Sequence, residues 1–429
     1  MADRIRAAAA SHQYLRIRGG GTKDFYGASL QGELLSTTAL TGITSYEPSE
    51  LVVTVRSGTP LAALEAALAE HGQCLPFEPP YFGYVAGDGA VGDANRVAVG
   101  VAGSAATPGH SPASTAAEMA TTGATTATNT TGTGTVGGMV SVGLSGPARA
   151  SVGAVRDYVL GMTLISGRGE LLTFGGQVMK NVAGYDVSRL VTGALGTLGL
   201  ITEVSLKVLP VAPAEATLRF ECSQAEGLRM LHAWGGQPLP LNASCWVQED
   251  FANTSQGRLY VRLRGAVAAV QAACKRMGGV VQNNAQAAAD WTACRNHTLP
   301  WFAARGLRDL WRLSVPQTTP VLTALDARFG RPLVEWHGGQ RWYFADGVAG
   351  ASAINAGHAS HGSAALAIRE AAAAAGGSAT LFIATNTENT AATTCFDALS
   401  APLERIHREL KQQFDPAGIL NPGRMYTGW

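Results

Sequence analysis

At 429 residues the chain exceeds the size at which a single hydrophobic core usually stops growing, so two domains are expected. Hydrophobic residues make up 46% and charged residues 15%, with a formal net charge of +1; this excludes a disordered chain and a basic nucleic-acid-binding surface. The six cysteines are scattered without a C-x-x-C pair, which argues against both a disulfide framework and a cysteine-bound iron–sulfur cluster. No apolar run approaches membrane-spanning length.

In chain order, residues 2–12 read as a short helix and 14–18 as a strand that stops at three glycines. Residues 50–56 form a second strand. A helix follows over 60–71, with Thr59 as its cap, Pro60 in the first turn, an apolar stripe of Leu61, Leu64 and Leu68, and Gly72 as its stop. From Gly83 to about Gly132 the chain is Ala/Gly/Thr/Ser-rich without helical or strand period, and reads as a disordered surface insertion. Residues 158–174 read as a hairpin turned at Ser166-Gly167-Arg168-Gly169. A strand over 200–209 is closed by Pro210 and Pro213. The second half alternates strands (258–263, 341–344) with helices (266–277, 364–375), and a final helix covers 403–414. The expected class is α+β: a first domain over 1–212 containing the 83–132 insertion, an α+β cap over 213–402, and a tail over 403–429 that returns to the first domain.

Glycines recur where strands end. Arg18-Gly19-Gly20-Gly21-Thr22-Lys23, then Gly134-Thr135-Val136-Gly137-Gly138 running on to Ser145-Gly146, then Gly196-Thr197-Leu198-Gly199-Leu200-Ile201 form three such segments. Without a β-carbon, glycine lets backbone N–H groups approach an anion closely. Three segments in this order point to a dinucleotide clasp. Gly132 to Gly137 also match G-x-G-x-x-G, but a threonine-rich coil precedes them and Gly138–Gly143 show no helical pattern, against a Rossmann reading.

Over residues 14–211 these segments resemble the FAD-binding domain of the p-cresol methylhydroxylase/vanillyl-alcohol oxidase type. Pro76-Phe77-Glu78-Pro79-Pro80, Gly143-Leu144-Ser145-Gly146-Pro147, the run from Gly175 to Leu190, Leu310 to Pro316 and the tail from Phe414 to Gly423 are similar to the FAD-binding E-subunit family of bacterial glycolate oxidases. The resemblance implies FAD held between two α+β subdomains. Arg18, Gly19, Gly20, Gly21, Thr22 and Lys23 would wrap the pyrophosphate. Thr135, Gly137 and Gly138 would meet the pyrophosphate and ribityl chain. Gly143, Ser145 and Gly146 would lie by the flavin, and Gly196, Thr197, Gly199 and Ile201 would meet the adenosine or ring. The first loop holds no His or Cys to tether a flavin, so non-covalent FAD is expected.

Related dehydrogenases hold a metal on paired cap histidines. His358 and His361 have the spacing but no acidic neighbour and read as surface residues, so no metal is expected. Arg312, His337 and Lys180 are the candidate catalytic residues, with Arg312 suited to a bidentate carboxylate contact. Asp186 reads as a helix cap. The implied function is that of the FAD subunit of a multi-subunit dehydrogenase: glycolate, a small 2-hydroxy acid, goes to glyoxylate by hydride transfer to flavin N5. Electrons would leave through a separate iron–sulfur subunit beside a sister flavin subunit. Two alternatives stand beside it: a non-catalytic FAD-binding structural or relay subunit, and a self-sufficient flavin oxidase of another hydroxy acid. Cytoplasmic placement is expected, at the inner membrane face only through partners.

Overall fold

A computed structural model describes residues 1–28, 30–82, 134–176, 185–248, 256–346, 362–385, 394–426 and 428. The expected 83–132 insertion, Lys180, His358 and His361 all lie outside the described residues.

Two sheets organise the chain. The smaller has five antiparallel strands, in spatial order Ile43–Glu47, Val52–Arg56, Leu200–Lys207, Val159–Ile165, Leu171–Gly175. The β-branched Val52–Arg56 and the apolar Val159–Ile165 sit inside it, whereas Leu171–Gly175, at its edge, alternates exposed with half-buried residues. The helix Leu61–Glu70 lays Leu61, Leu64 and Leu68 into the core beneath this sheet, beside Val136, Met139 and Val140. It begins one residue later than the sequence suggests. Pro60 is the flanking residue, and the Thr59 hydroxyl instead accepts from Gly42 N at 2.9 Å.

One expectation fails here. The segment after Thr135 is helical, over Val136–Val142, and Gly143 ends it in the left-handed region at φ 67°. Apolar residues at Val136, Met139 and Val140 supply the buried stripe; two glycines in the first turn masked the period in the sequence. The Rossmann reading still fails, now on topology: every pairing in the adjacent sheet is antiparallel, so the described residues form no βαβ unit there.

The second half is built on an eight-stranded antiparallel sheet, in order Val280–Val281, Ala214–Cys222, Gly257–Gly265, Leu241–Val247, Leu333–Glu335, Gln340–Asp346, Arg308–Ser314, Ser378–Ile383. Helices Gln224–Gly235, Val267–Met277 and Gly362–Ala374 pack on one face. The other face packs Leu310, Trp342, Phe344 and Phe382 against Tyr26, Phe82, Leu144 and Leu195 of the first half. Glu78 crosses the same junction: Arg262 Nη2 donates to both its oxygens at 2.7 Å, and Arg264 Nη1 donates at 3.1 Å.

The chain end comes back to its beginning. Ile419 and Leu420 share a core with Ile5, Leu15, Leu35, Ile165 and Leu200. The amide of Leu15 donates to Ile419 O at 2.8 Å, and that of Asn421 to Leu15 O at 2.9 Å. Buried Lys411, on the helix Ala401–Phe414, donates to Asp415 at 2.6 Å and to Thr197 O and Leu420 O at 2.8 Å.

Candidate cofactor cleft

The strand Leu15–Arg18 pairs in parallel with Glu33–Ser36 and stops where its glycines begin. Beyond it lies a cleft of about 700 Å³. Arg18, Gly19, Gly20, Gly21, Thr22 and Lys23 line one wall; Thr135, Gly137 and Gly138 line another; Gly196 and Ile201 are also among the lining residues.

The first loop has the donor set of an anion site. The successive N–H groups of Gly19, Gly20, Gly21, Thr22 and Lys23 have no acceptor among the described residues. A row of unpaired backbone donors beside a cavity is a concavity for phosphate oxygens. Its shape depends on missing β-carbons: one at Gly19 would collide with Thr135 Oγ1, and Gly21 has φ 75°. Lys23 is buried in the same wall, and no carboxylate pairs with it among the described residues. Burial without a counter-ion pulls its ammonium down to about 8. Arg18 is otherwise engaged, with its Nε 2.7 Å from Asp24 Oδ2.

The second segment walls the cleft, but its amides from Val136 to Gly138 are bonded within the protein. At the start of the helix, Val136 N donates to Thr59 O at 3.0 Å and Gly137 N to Ser57 O at 2.7 Å. Gly138 N donates to Thr135 Oγ1 at 3.2 Å. A β-carbon at Gly137 would sit 2.6 Å from Ser57 Cβ, so this glycine exists for close packing. Ser57 Oγ, also lining the cleft, is buried without a partner.

Five predicted residues lie outside the lining. Gly143 ends the helix. Ser145 Oγ accepts from Val155 N at 3.2 Å, and Gly146 N donates to Phe77 O at 2.9 Å. Thr197 Oγ1 donates to Ala194 O at 2.7 Å, and a β-carbon at Gly199 would press within 2.8 Å of Leu164.

Sequence reasoning missed the tail's share of the cleft. Asn421 Oδ1 accepts from Ile17 N, and its Nδ2 donates to Leu195 O, both at 2.7 Å. Arg424, buried and pulled down to about 10 by that burial, donates to Asp24 O at 2.9 Å and to Tyr26 O at 2.6 Å, and also to Ala28 O and Lys23 O. Both residues stand in the Asn421-Pro422-Gly423-Arg424 run; its turn composition marked a loop, and nothing local marked where it docks.

Among the catalytic candidates, Arg312 projects from the strand Arg308–Ser314, donates to Tyr26 Oη at 3.0 Å, and lies against the packed ring pair of Tyr26 (5.7 Å) and Phe382 (5.6 Å). No carboxylate pairs with it among the described residues. His337 is not at the cleft. Its Nδ1 lies 3.0 Å from Ser244 Oγ and its Nε2 2.9 Å from Ser151 Oγ, and burial pushes it down to about 4, leaving it neutral. His297, unmarked in the sequence, stacks on Phe302 at 4.9 Å with a buried, unpartnered Nδ1; burial, aided by Arg312, pushes it down to about 3. Asp186 caps the helix Val187–Val191, accepting from Arg189 N at 3.0 Å. A more capacious cavity of about 1080 Å³ is walled by Tyr260, Trp291 and Trp301, and it lacks the first loop's row of free N–H donors.

Comparison with known proteins agrees with this geometry. Residues 1–121 match the FAD binding domain family. Over 425 residues the chain is 36% identical to glycolate oxidase subunit GlcE of Escherichia coli (strain K12), spanning 99% of this chain and 96% of that one. A stretch of 84 residues is 38% identical to glycolate oxidase subunit GlcD of Bacillus subtilis (strain 168), covering 20% and 18% of the two chains. In fold it is similar to alkyldihydroxyacetonephosphate synthase, at TM-score 0.58 and 12% identity, over 98% of this chain and 74% of the other.

The FAD-binding family match and the relation to a glycolate oxidase subunit together make the chain an FAD-dependent oxidoreductase, and the mixed α and β fold agrees. FAD is its cofactor, and the free N–H row, buried Lys23 and orphaned Ser57 hydroxyl suit the cofactor's pyrophosphate. Within that class the chain belongs to the glycolate oxidase subunit GlcE family.

Proposed function

We propose that this chain binds FAD non-covalently in the 700 Å³ cleft and oxidises a small 2-hydroxy acid, glycolate, to its 2-oxo acid within a multi-subunit complex. The observation that carries the reading is the row of unpaired N–H groups from Gly19 to Lys23 in a chain aligned with GlcE over nearly its whole length. These donors and the Lys23 ammonium hold the pyrophosphate. Thr135, Gly137, Gly138, Gly196 and Ile201 form the walls along the rest of the cofactor.

Bound FAD supplies the acceptor for the hydride that leaves the substrate's α-carbon. Arg312 offers a planar fork to the substrate carboxylate. The packed pair of rings of Tyr26 and Phe382, with the Tyr26 hydroxyl, holds that fork in place. The relatives' names describe subunits, which supports assembly with a sister flavin chain; an iron–sulfur subunit would take the electrons onward. No helix among the described residues is long and apolar enough to cross a membrane; placement in the cytoplasm, with any membrane attachment through partners, is part of this proposal.

Anaerobic stopped-flow of the FAD-loaded chain with glycolate and with D-lactate tests this. Flavin bleaching by glycolate in the isolated chain supports it. A flavin that stays oxidised alone, and bleaches only when a sister subunit is added, assigns the oxidation to that subunit.

A further inference from the structure

Apart from the cofactor cleft, the two halves enclose a second opening of about 600 Å³, where Arg149, Ala150, Gly153, Ala154 and Asp157 face Ser314, Val315, Gln317, Trp336 and Gly339. Its charged wall is Arg149, whose guanidinium lies 4.4 Å over the indole of Trp336. That indole is itself fixed, since its Nε1 donates to Gly146 O at 3.0 Å. Held over the indole, the guanidinium is kept in place while its N–H groups remain at its own edge. Among the described residues neither a carboxylate nor a carbonyl accepts from them.

An arginine held in place but given no acceptor is a receptor awaiting one. Its neighbours strengthen the case. Burial lowers the Arg149 guanidinium, and the charges of Arg312 and Arg156 push the same way; only Asp157 opposes them. The Asp157 carboxylate already accepts from Ala154 N at 2.8 Å. Ser314, on the far wall, follows Arg312 by two residues on one strand, so both project from the same face of the sheet. Arg312, which does not itself line the opening, thus lies on the same face one pleat along the strand, and Ala150, Ala154 and Val315 give the opening an apolar wall for a short carbon chain.

We propose that the opening between Arg149 and Ser314 is a receptor for a small carboxylate, with the Arg149 fork as its ligand, and that it is the mouth through which the hydroxy acid reaches Arg312. Its assignment as the substrate's mouth rests on the function proposed above; the binding itself does not. A planar carboxylate matches the edge of a stacked guanidinium through two parallel hydrogen bonds, and the apolar wall favours it over inorganic phosphate.

The test is calorimetric titration of the FAD-loaded full chain with sodium acetate, sodium glycolate and inorganic phosphate, followed in parallel by tryptophan emission. Acetate has no hydroxyl to oxidise, so its binding is independent of turnover. Acetate and glycolate are expected to bind and to change an emission that Trp336→Phe removes. Arg149→Met should weaken acetate at least about tenfold, and Arg149→Lys, which keeps charge but not fork, should fall between. Should Arg149→Met fail to load FAD, Arg149→Lys decides alone. Parent-like acetate affinity in either variant overturns the receptor, as does binding of phosphate without acetate. A flavin that glycolate never reduces, with acetate binding still dependent on Arg149, would remove the proposed function and leave the receptor standing.

Discussion

Arg424 and Asp24 are 400 positions apart in sequence, yet the guanidinium of one donates to the backbone carbonyl of the other at 2.9 Å. The same guanidinium takes the carbonyls of Lys23, Tyr26 and Ala28. These contacts fix the backbone from Lys23 to Ala28, the stretch that directly follows the donor row of Gly19 to Lys23. The chain's end thus sets the shape of the loop near its beginning.

Arg424→Met should therefore lose FAD and stability together. It leaves buried carbonyls unpaired, at a cost of roughly 3 kcal/mol or more. Arg424→Lys, with fewer donors and no fork, should recover part of each. Flavin absorbance per mole of protein and melting temperature measure the two. A parent-like FAD content in Arg424→Met would detach the tail from the loop's function.

Lys23 should show opposite effects on fold and cofactor. Its ammonium is held near 8 in the folded chain, against an ordinary 10.5. Between those values the unfolded chain binds more protons, so this group's penalty is full below about pH 8 and fades as pH rises toward 10.5. Lys23→Met should raise the apoprotein's melting temperature at pH 7, by an amount that shrinks above pH 8, and yet weaken FAD binding. In the parent, a bound pyrophosphate favours the charged ammonium, so FAD affinity should fall as pH rises through 8. Matched melting curves and FAD titrations at pH 7 and 9.5 read both effects.

The two helix glycines should part company. At Gly137 a new β-carbon meets Ser57 backbone and side chain, so Gly137→Ala should destabilise the fold itself. At Gly138 the one atom within 4 Å is Thr135 Oγ1, at 3.2 Å, so Gly138→Ala should fold like the parent. Loss of FAD in a well-folded Gly138→Ala would then mean direct contact with the cofactor. Circular dichroism alongside flavin content separates the cases.

Glu78 should make the junction of the two halves acid-sensitive. Burial pushes its carboxyl up, but the guanidiniums of Arg262 and Arg264 overcome that and hold it below the usual range. The contribution is present above the ordinary carboxylate value and is lost as pH falls through the lowered one. Glu78→Gln should cost about 3–5 kcal/mol at pH 7 and flatten the acid limb of the stability curve. Urea unfolding at pH 7 and pH 4 measures both.

The sequence was most readable where structure is local. Strand runs such as Val159–Ile165, the stripe of Leu61, Leu64 and Leu68, and the Asp186 cap carry their signals within a few residues. The glycine loops were visible because missing side chains leave a compositional mark. What each glycine does was not. Gly19 and Gly21 shape a donor row, Gly137 serves packing against Ser57, and Gly146 lies under Glu78; these differ only in distant neighbours. Asn421 and Arg424 were hidden for the same reason, since their partners lie at the other end of the chain. The helix after Thr135 escaped because glycines in its first turn lower helical propensity, while burial of Val136 and Val140 outweighs that loss.

In the proposed function FAD is held by the backbone donors of residues 19–23. Amide hydrogen exchange, compared between FAD-loaded and FAD-stripped chain, tests it most directly. Strong new protection is expected at Gly19 to Lys23 on loading, with little change at Val136 to Gly138, whose amides are already bonded within the protein. Equal exchange at Gly19 to Lys23 in the two forms, with FAD demonstrably bound, would contradict it.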